Sequence, residues 1–422
     1  MEKHAQVKQS GIPWIQEIPT DWGIRVLFQL TDHVKNKNKD LSEKNLLSLS
    51  YGKIKRKDIN TPEGLLPESF DGYNIIEEND IVLRLTDLQN DHTSLRVGQS
   101  KERGIITSAY ITLRPSHDIN PHYLYYALHA YDLIKGFYGM GAGVRQGLNY
   151  DEVKTLKLPF PPMDIQDSIV KYLDKTATEI DEIIEEAKYC IEEYKKWKLS
   201  LIHKVVTKGL NSKVALKDCG LPSFSQVPVH WQVLSLKNIL LLRNEKSGGV
   251  GELLSVYLDR GVISYSESDG QQVHKPSLDL SNYQIVHIGD FVMNNQQAWR
   301  GSVGVSRYEG IISPAYFVYQ FTIECDSSYM NYVLRDICMV QQYEIASRGV
   351  GSIQRNIYAP WLLSSGIALP PVEEQRQIAN YLNNICAQID SIVREKQILI
   401  DDLETYKRSL IYEAVTGKRK VV

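Results

Sequence analysis

The stretch LPPVEEQRQIANYLN, Leu369 to Asn383, closes like a strand and opens like a long helix. A near copy, FPPMDIQDSIVKYLD, runs from Phe160 to Asp174. Pro161-Pro162 matches Pro370-Pro371, Gln166 matches Gln375, Ile169 matches Ile378, and Tyr172-Leu173 matches Tyr381-Leu382, each pair 209 residues apart. The offset holds downstream, where Ile180-Asp181 faces Ile389-Asp390. It also holds far upstream, where GIPWIQEIPTDW (11–22) faces GLPSFSQVPVHW (220–231). Between these anchors the register wobbles by a few residues. GIITSAYITL (104–113) still matches GIISPAYFVY (310–319), and ENDIVLRL (78–85) resembles IGDFVMNN (288–295). The chain is therefore one unit written twice, each copy a globular part of roughly 150 residues followed by a helical tail.

After each Pro-Pro the pattern changes from alternation to heptads. The first tail offers Ile169, Leu173, Thr176, Ile180, Ile183, Ala187, Cys190, Tyr194, Trp197 and Leu201, broken only at Thr176. The second offers Ile378, Leu382, Ile385, Ile389, Ile392, Lys396, Leu399, Leu403, Tyr406 and Leu410, broken only at Lys396. Steps of three and four sustained this long mark a coiled-coil seam rather than a helix lying on its own domain. The proline pair stops the preceding strand, and Asp164 or Glu373 supplies acid where the helix dipole is positive. If the two tails pair antiparallel, they make a spacer with a globular part at each end.

Each globular part shows short β-prone runs between Gly, Asn and Asp, with one helical stretch, 122–137 or 328–343. The expected class is α+β: two repeated mixed globular domains separated by a long two-helix antiparallel coiled coil. The expected domains are 1–160 and 213–369 for the heads, with 161–212 and 370–422 for the helical spacers. Basic and amide residues fall on expected loops. They are Lys53, Lys55, Arg56 and Lys57 around a turn, its counterpart Arg260, then Arg145 and Gln146, Asn294, Gln296 and Arg300, and Arg348, Gln354 and Arg355. Arg on guanine and Asn or Gln on adenine are the usual major-groove pairings, so clusters in corresponding parts of both copies suggest DNA contact. Taken singly, each reads more readily as a solvated loop residue.

Composition limits the alternatives. A hydrophobic fraction of 43% and a charged fraction of 23% suit a soluble globular chain. No window approaches a membrane span, and the first residues lack a signal-peptide core. Five scattered cysteines form no CxxC pair, which points to a reducing cytoplasm and away from zinc. The net charge of −3 decides nothing about a localised basic groove. Catalytic signatures are missing. Gly52-Lys53 and Gly417-Lys418 lack the Ser or Thr of a phosphate loop, GMGAG (139–143) does not join a strand to a helix, and neither Pro-Pro follows Asn, Asp or Ser. Glu152 and Lys154 form an E-x-K without an acidic partner, which reads as a surface pair. No metal ligand set is expected.

The doubled P-P-x-x-x-Q-x-x-I-x-x-Y-L, with a tail ending Y-K-x-S-L-I-x-x-A-V-T-G (Tyr406 to Gly417), resembles the specificity subunit of type I restriction-modification systems. The resemblance spans the whole chain. The first copy is looser, with Asp164-Ile165 before Gln166, and Lys208 where the second copy has Gly417. The resemblance implies a non-catalytic, cytoplasmic subunit that reads a bipartite double-stranded DNA target, one half-site per head. It implies docking of two methyltransferase subunits, with a restriction subunit as an optional further partner, and no membrane. S-adenosylmethionine and ATP would belong to those partners, with no cofactor on this chain. The competing expectation is a coiled-coil adaptor with two binding heads and no DNA specificity.

Overall fold

A computed structural model describes residues 6–59, 67, 69–89, 91, 93–140, 147–221, 223–268, 276–350 and 354–421. It divides into two compact units, Met1–Lys188 with Gln397–Val422, and Tyr189–Lys396. Each unit contains one head, the beginning of one long helix and the end of the other. The long helices are Met163–Lys208 and Val372–Val415.

In the first unit a four-stranded antiparallel sheet runs in the order Thr31–His33, Ile111–Pro115, Ile81–Leu83, Val97–Gln99. Hairpin Leu47–Ser50 with Lys53–Arg56 and the pair Asn74–Ile76 with Gly104–Ile106 accompany it. The second unit has the same sheet in the same order: Leu240–Leu242, Tyr316–Phe321, Phe291–Asn294, Val303–Val305. Its equivalents of the smaller pairs are Leu254–Tyr257 with Gly261–Ser264, and Gln284–Val286 with Gly310–Ile312. Strands this short and buried on both sides explain why their runs read as apolar triplets rather than alternation. The class is α+β, two mixed heads with a long helical pair.

Two expectations change here. Lys53, Lys55 and Arg56 sit on the returning strand of a hairpin, not in a loop; the turn itself is Tyr51-Gly52, with positive φ at both. The second head's helical stretch is also two helices, Ser327–Arg335 and Ile337–Ile345. Asp336 between them is extended, and its carboxylate caps the second by accepting from the Cys338 N–H at 3.0 Å.

The repeated Pro-Pro-x-x-x-Gln is a clamp. In the first unit, Gln166 Oε1 accepts from the Asn120 N–H at 2.9 Å and its Nε2 donates to the Pro161 carbonyl at 2.9 Å. In the second, Gln375 accepts from the Asp326 N–H at 2.9 Å and donates to the Pro370 carbonyl at 3.0 Å. Asn120 and Asp326 are the N-caps of the head helices Pro121–Leu133 and Ser327–Arg335, so each amide fastens a long helix to its head. The end of the opposite long helix reaches the same head helix. Tyr123 donates its hydroxyl to Val415 O at 3.4 Å in one unit, and Tyr329 to Val206 O at 3.5 Å in the other.

Within each unit the two helical segments run antiparallel. Tyr172 lies beside Arg419 and Asp181 beside Lys407 in the first; Lys198 lies beside Asp390 in the second. The two inter-helix bonds, Lys407 to Asp181 at 2.6 Å and Lys198 to Asp390 at 2.7 Å, are images of each other under the 209-residue repeat.

The seam itself needs correction. Ile169, Leu173, Ile180, Ile378, Leu382, Ile389 and Leu410 are buried, and Tyr194, Leu201, Ile385, Ile392 and Leu403 half-buried. However, Ile183, Trp197, Leu399 and Tyr406 are exposed. Next to a column at heptad spacing such as Leu173, Ile180, Ala187, a second column can lie three or four residues on. At 100° per residue the fourth falls about 40° from the first column and the third about 60° on the other side. The helices bury the fourth-place column: Ala177, Ile184 and Ile191 in one, Cys386 and Ile400 in the other. Lys198 and Lys407 stand in that column, and they make the two inter-helix bonds.

Candidate nucleic-acid interface

In the first head, Lys53, Lys55 and Lys57 are exposed along one hairpin edge. Arg56 forks onto Glu102, which hydrogen-bonds it and raises its pKa further, so part of the patch is neutralised internally. Arg145 and Gln146 lie outside the described residues. The E-x-K is accounted for locally: Glu152 accepts from the Asn149 N–H at 2.7 Å in a capping box, and Lys154 pairs with Asp151 at 2.6 Å.

In the second head, two of the expected residues, Asn294 and Gln296, line a cavity of about 480 Å³. Tyr257, Tyr265, Tyr283 and Tyr316 line it with Ser255, Ser313 and the amides Asn294, Gln296 and Gln297, and none of its lining residues is charged. Asn294 ends its strand opposite Tyr316. Its Nδ2 donates to the Tyr316 hydroxyl at 3.4 Å, while its Oδ1 accepts from the Gln296 N–H at 3.0 Å. Burial pushes the Tyr316 phenol above its ordinary pKa, so the ring stays a neutral donor. Arg260 occupies the turn of the neighbouring hairpin, stacked 4.8 Å from the Tyr257 ring centre and donating to Glu267 O at 3.0 Å.

Beside the cavity stands a hairpin that the described part of the first head lacks, Ser347–Val350 with Gln354–Ile357. Asn295 holds it by accepting from the Ile357 N–H at 2.9 Å. Directly opposed residues share a face, so Arg348 (opposite Asn356) and Arg355 (opposite Gly349) point to opposite sides. Arg348 is exposed and lies 3.5 Å from the Tyr358 ring centre and 4.3 Å from that of Trp361. Arg355 lies 4.9 Å over Trp299 and pairs with Glu344 at 3.3 Å; Arg300 lies 5.5 Å over the same indole. Gln354 is in the strand, with its side chain outside the described residues. Stacking takes up the faces of the Arg348 guanidinium, so its in-plane donors can serve phosphate or base edges. The aromatic partners Trp299, Tyr358 and Trp361 were not among the expected residues; the RNIYAPW run carried the signal for two of them.

Among the described residues, one group could hold a metal ion: His203, Asp336 and Cys338, with ligand atoms within 4.8 Å. Asp336 already caps a helix and bonds His203 at 2.9 Å, and burial drives the Cys338 thiol's pKa upward. The group reads as part of the joint between head and helix. No described helix is long and apolar enough to cross a membrane.

Fold and site together define a tandem α+β binding protein with two heads tied to a shared antiparallel helical pair. Residues 20–193 match the family model for the type I restriction modification DNA specificity domain. The type I restriction enzyme MjaVIII specificity subunit of Methanocaldococcus jannaschii is 25% identical over 366 residues, covering 82% of this chain and 80% of that one. Among solved structures, a chain from work on complex assembly and conformational transition of the type I R-M system superposes with a TM-score of 0.68. It is 15% identical, with 95% of this chain and 99% of that chain covered. The HsdS subunit of Thermoanaerobacter tengcongensis gives 0.53 at 15% identity, covering 95% and 98%. These comparisons converge: over most of its length the chain is similar to specificity subunits of type I restriction-modification systems.

Proposed function

We propose that this chain is a specificity subunit that reads a bipartite double-stranded DNA target, one half-site per head, and brings methyltransferase and restriction subunits to it. In this reading, residues 1–160 and 213–369 are the recognition domains, and 161–212 and 370–422 are the spacers that fix the distance between half-sites. Two methyltransferase subunits dock on the assembly, and a restriction subunit can join them. The chain itself is non-catalytic; S-adenosylmethionine and ATP are held by the partners, and the complex works in the cytoplasm.

One observation carries the reading: both heads have the same sheet order and the same glutamine clamp onto a long helix. Duplicated heads in one chain suit a target with two halves. The stacked arginines and the amide-lined cavity supply donors for phosphates and base edges. Methylation sequencing of a strain expressing the chain with its methyltransferase partner tests this. A split motif with a fixed gap is expected; a continuous motif, or no motif, refutes it. Purified chain with DNA, Mg²⁺ and S-adenosylmethionine is expected to show no turnover.

A further inference from the structure

The two heads share a framework, so a position where the framework repeats and the side chain does not is informative. Such a position lies at the end of the third strand in each sheet order. In the second head, Asn294 pairs with Tyr316, and its N–H donates to Ser302 O, beside strand Val303–Val305, at 3.0 Å. In the first head, Leu83 pairs with Ile111, so the same register sets the next residue, Arg84, opposite Tyr110. The Arg84 N–H donates to Arg96 O, beside strand Val97–Gln99, at 2.9 Å. Tyr110 corresponds to Tyr316 in the repeat, and Tyr73 to Tyr283. Backbone and aromatic neighbours therefore coincide at positions 84 and 294, and only the reading group changes.

The chemistry at each position is specific. Asn294 lies on a cavity with no charged lining, where an amide can present one donor and one acceptor to a base edge. Arg84 is half-buried, and among the described residues its guanidinium has no hydrogen-bond or ion-pair partner. A partly buried guanidinium that no described carboxylate engages has its donors available to a ligand. We propose that residues 84 and 294 are the same reading position in the two heads, Arg84 selecting a guanine in one half-site and Asn294 an adenine in the other. This rests on the DNA-reading function proposed above.

The test uses the full chain assembled with its methyltransferase partner, carrying Arg84→Ala, Arg84→Asn or Asn294→Arg. Methylation sequencing and competition binding with duplexes varied at each half-site base pair read the result. Arg84→Ala should cut discrimination at one guanine-bearing pair by about tenfold or more while the other half-site stays unchanged. Arg84→Asn should shift that pair toward adenine, and Asn294→Arg should shift one pair of the other half-site toward guanine. The intact half-site in each variant reports that the subunit is folded. Unchanged half-sites overturn the assignment, as does a uniform loss of affinity across all sequences, which would mark Arg84 as a phosphate contact. A wild-type complex with no split motif would instead overturn the function on which the assignment rests.

Discussion

Replacing Gln375 with leucine removes a clamp of known geometry while keeping the side chain's approximate size. Gln375 is 2% exposed, and its two amide atoms bond the Asp326 N–H and the Pro370 carbonyl. Leucine leaves both groups without partners. An unsatisfied buried polar group costs about 1–3 kcal/mol, and the Asp326 N–H is only partly buried, so the pair should cost about 2–4 kcal/mol. Against a typical total of about 5–15 kcal/mol, that is large. Urea unfolding followed by tryptophan fluorescence should show the midpoint fall by roughly 1 M. Trp231 is a suitable reporter, since its indole N–H donates to Glu374 at 3.2 Å, one residue from the clamp. Hydrogen exchange at the start of helix Ser327–Arg335 should accelerate in the same variant. Gln375→Glu keeps the acceptor but loses the donor unless its carboxyl is protonated. Burial raises such a pKa, so that variant should be most stable below about pH 4 and lose stability as pH rises through its folded pKa. A Gln375→Leu protein within 0.5 kcal/mol of wild type would show that the repeated glutamine is incidental to the joint.

Three further outcomes follow from the helical pair and the hairpin. Ile184→Ala, in the buried column, should cost about 2–4 kcal/mol by chemical denaturation, whereas Ile183→Ala, at 45% exposure, should cost less than about 1 kcal/mol; the reverse order would restore the seam read from sequence. The Lys407–Asp181 pair is partly solvent-exposed, so Asp181→Lys should cost no more than about 1 kcal/mol, shrinking with added salt, and the charge-swapped double variant should recover most of it. Arg348→Ala should weaken DNA binding of the assembled complex similarly across sequences and lower the salt-dependence slope by about one, measured by fluorescence anisotropy at several salt concentrations; an altered half-site preference would instead make Arg348 a base reader.

What could be read from the chain alone follows from what each feature demands physically. The joint is legible because it recurs: a proline pair and a glutamine hold one geometry twice, and packing tolerates few substitutes for a buried bidentate amide. The seam was half legible. Leu173 or Leu382 defines one column, but Ile183 and Ile184 satisfy heptad spacing equally well. Only the partner helix decides, and it favours the column whose lysines, Lys198 and Lys407, can reach across. Arg355 stands out as a basic residue, yet Trp299 stacks on it from a distant segment that local sequence cannot connect.

Arg84 was invisible for the opposite reason. The repeat already sets ENDIVLRL against IGDFVMNN and so Arg84 against Asn294, but the two side chains look unrelated and the arginine is one basic residue among many. Strand register shows that the match is structural, since each extends a central strand opposite a repeated tyrosine. Where both heads must solve the same packing problem, the two copies agree and the repeat can be read. Where each head answers to its own half-site they have reason to differ, so the reading residues are best sought where the backbone repeats and the side chain does not.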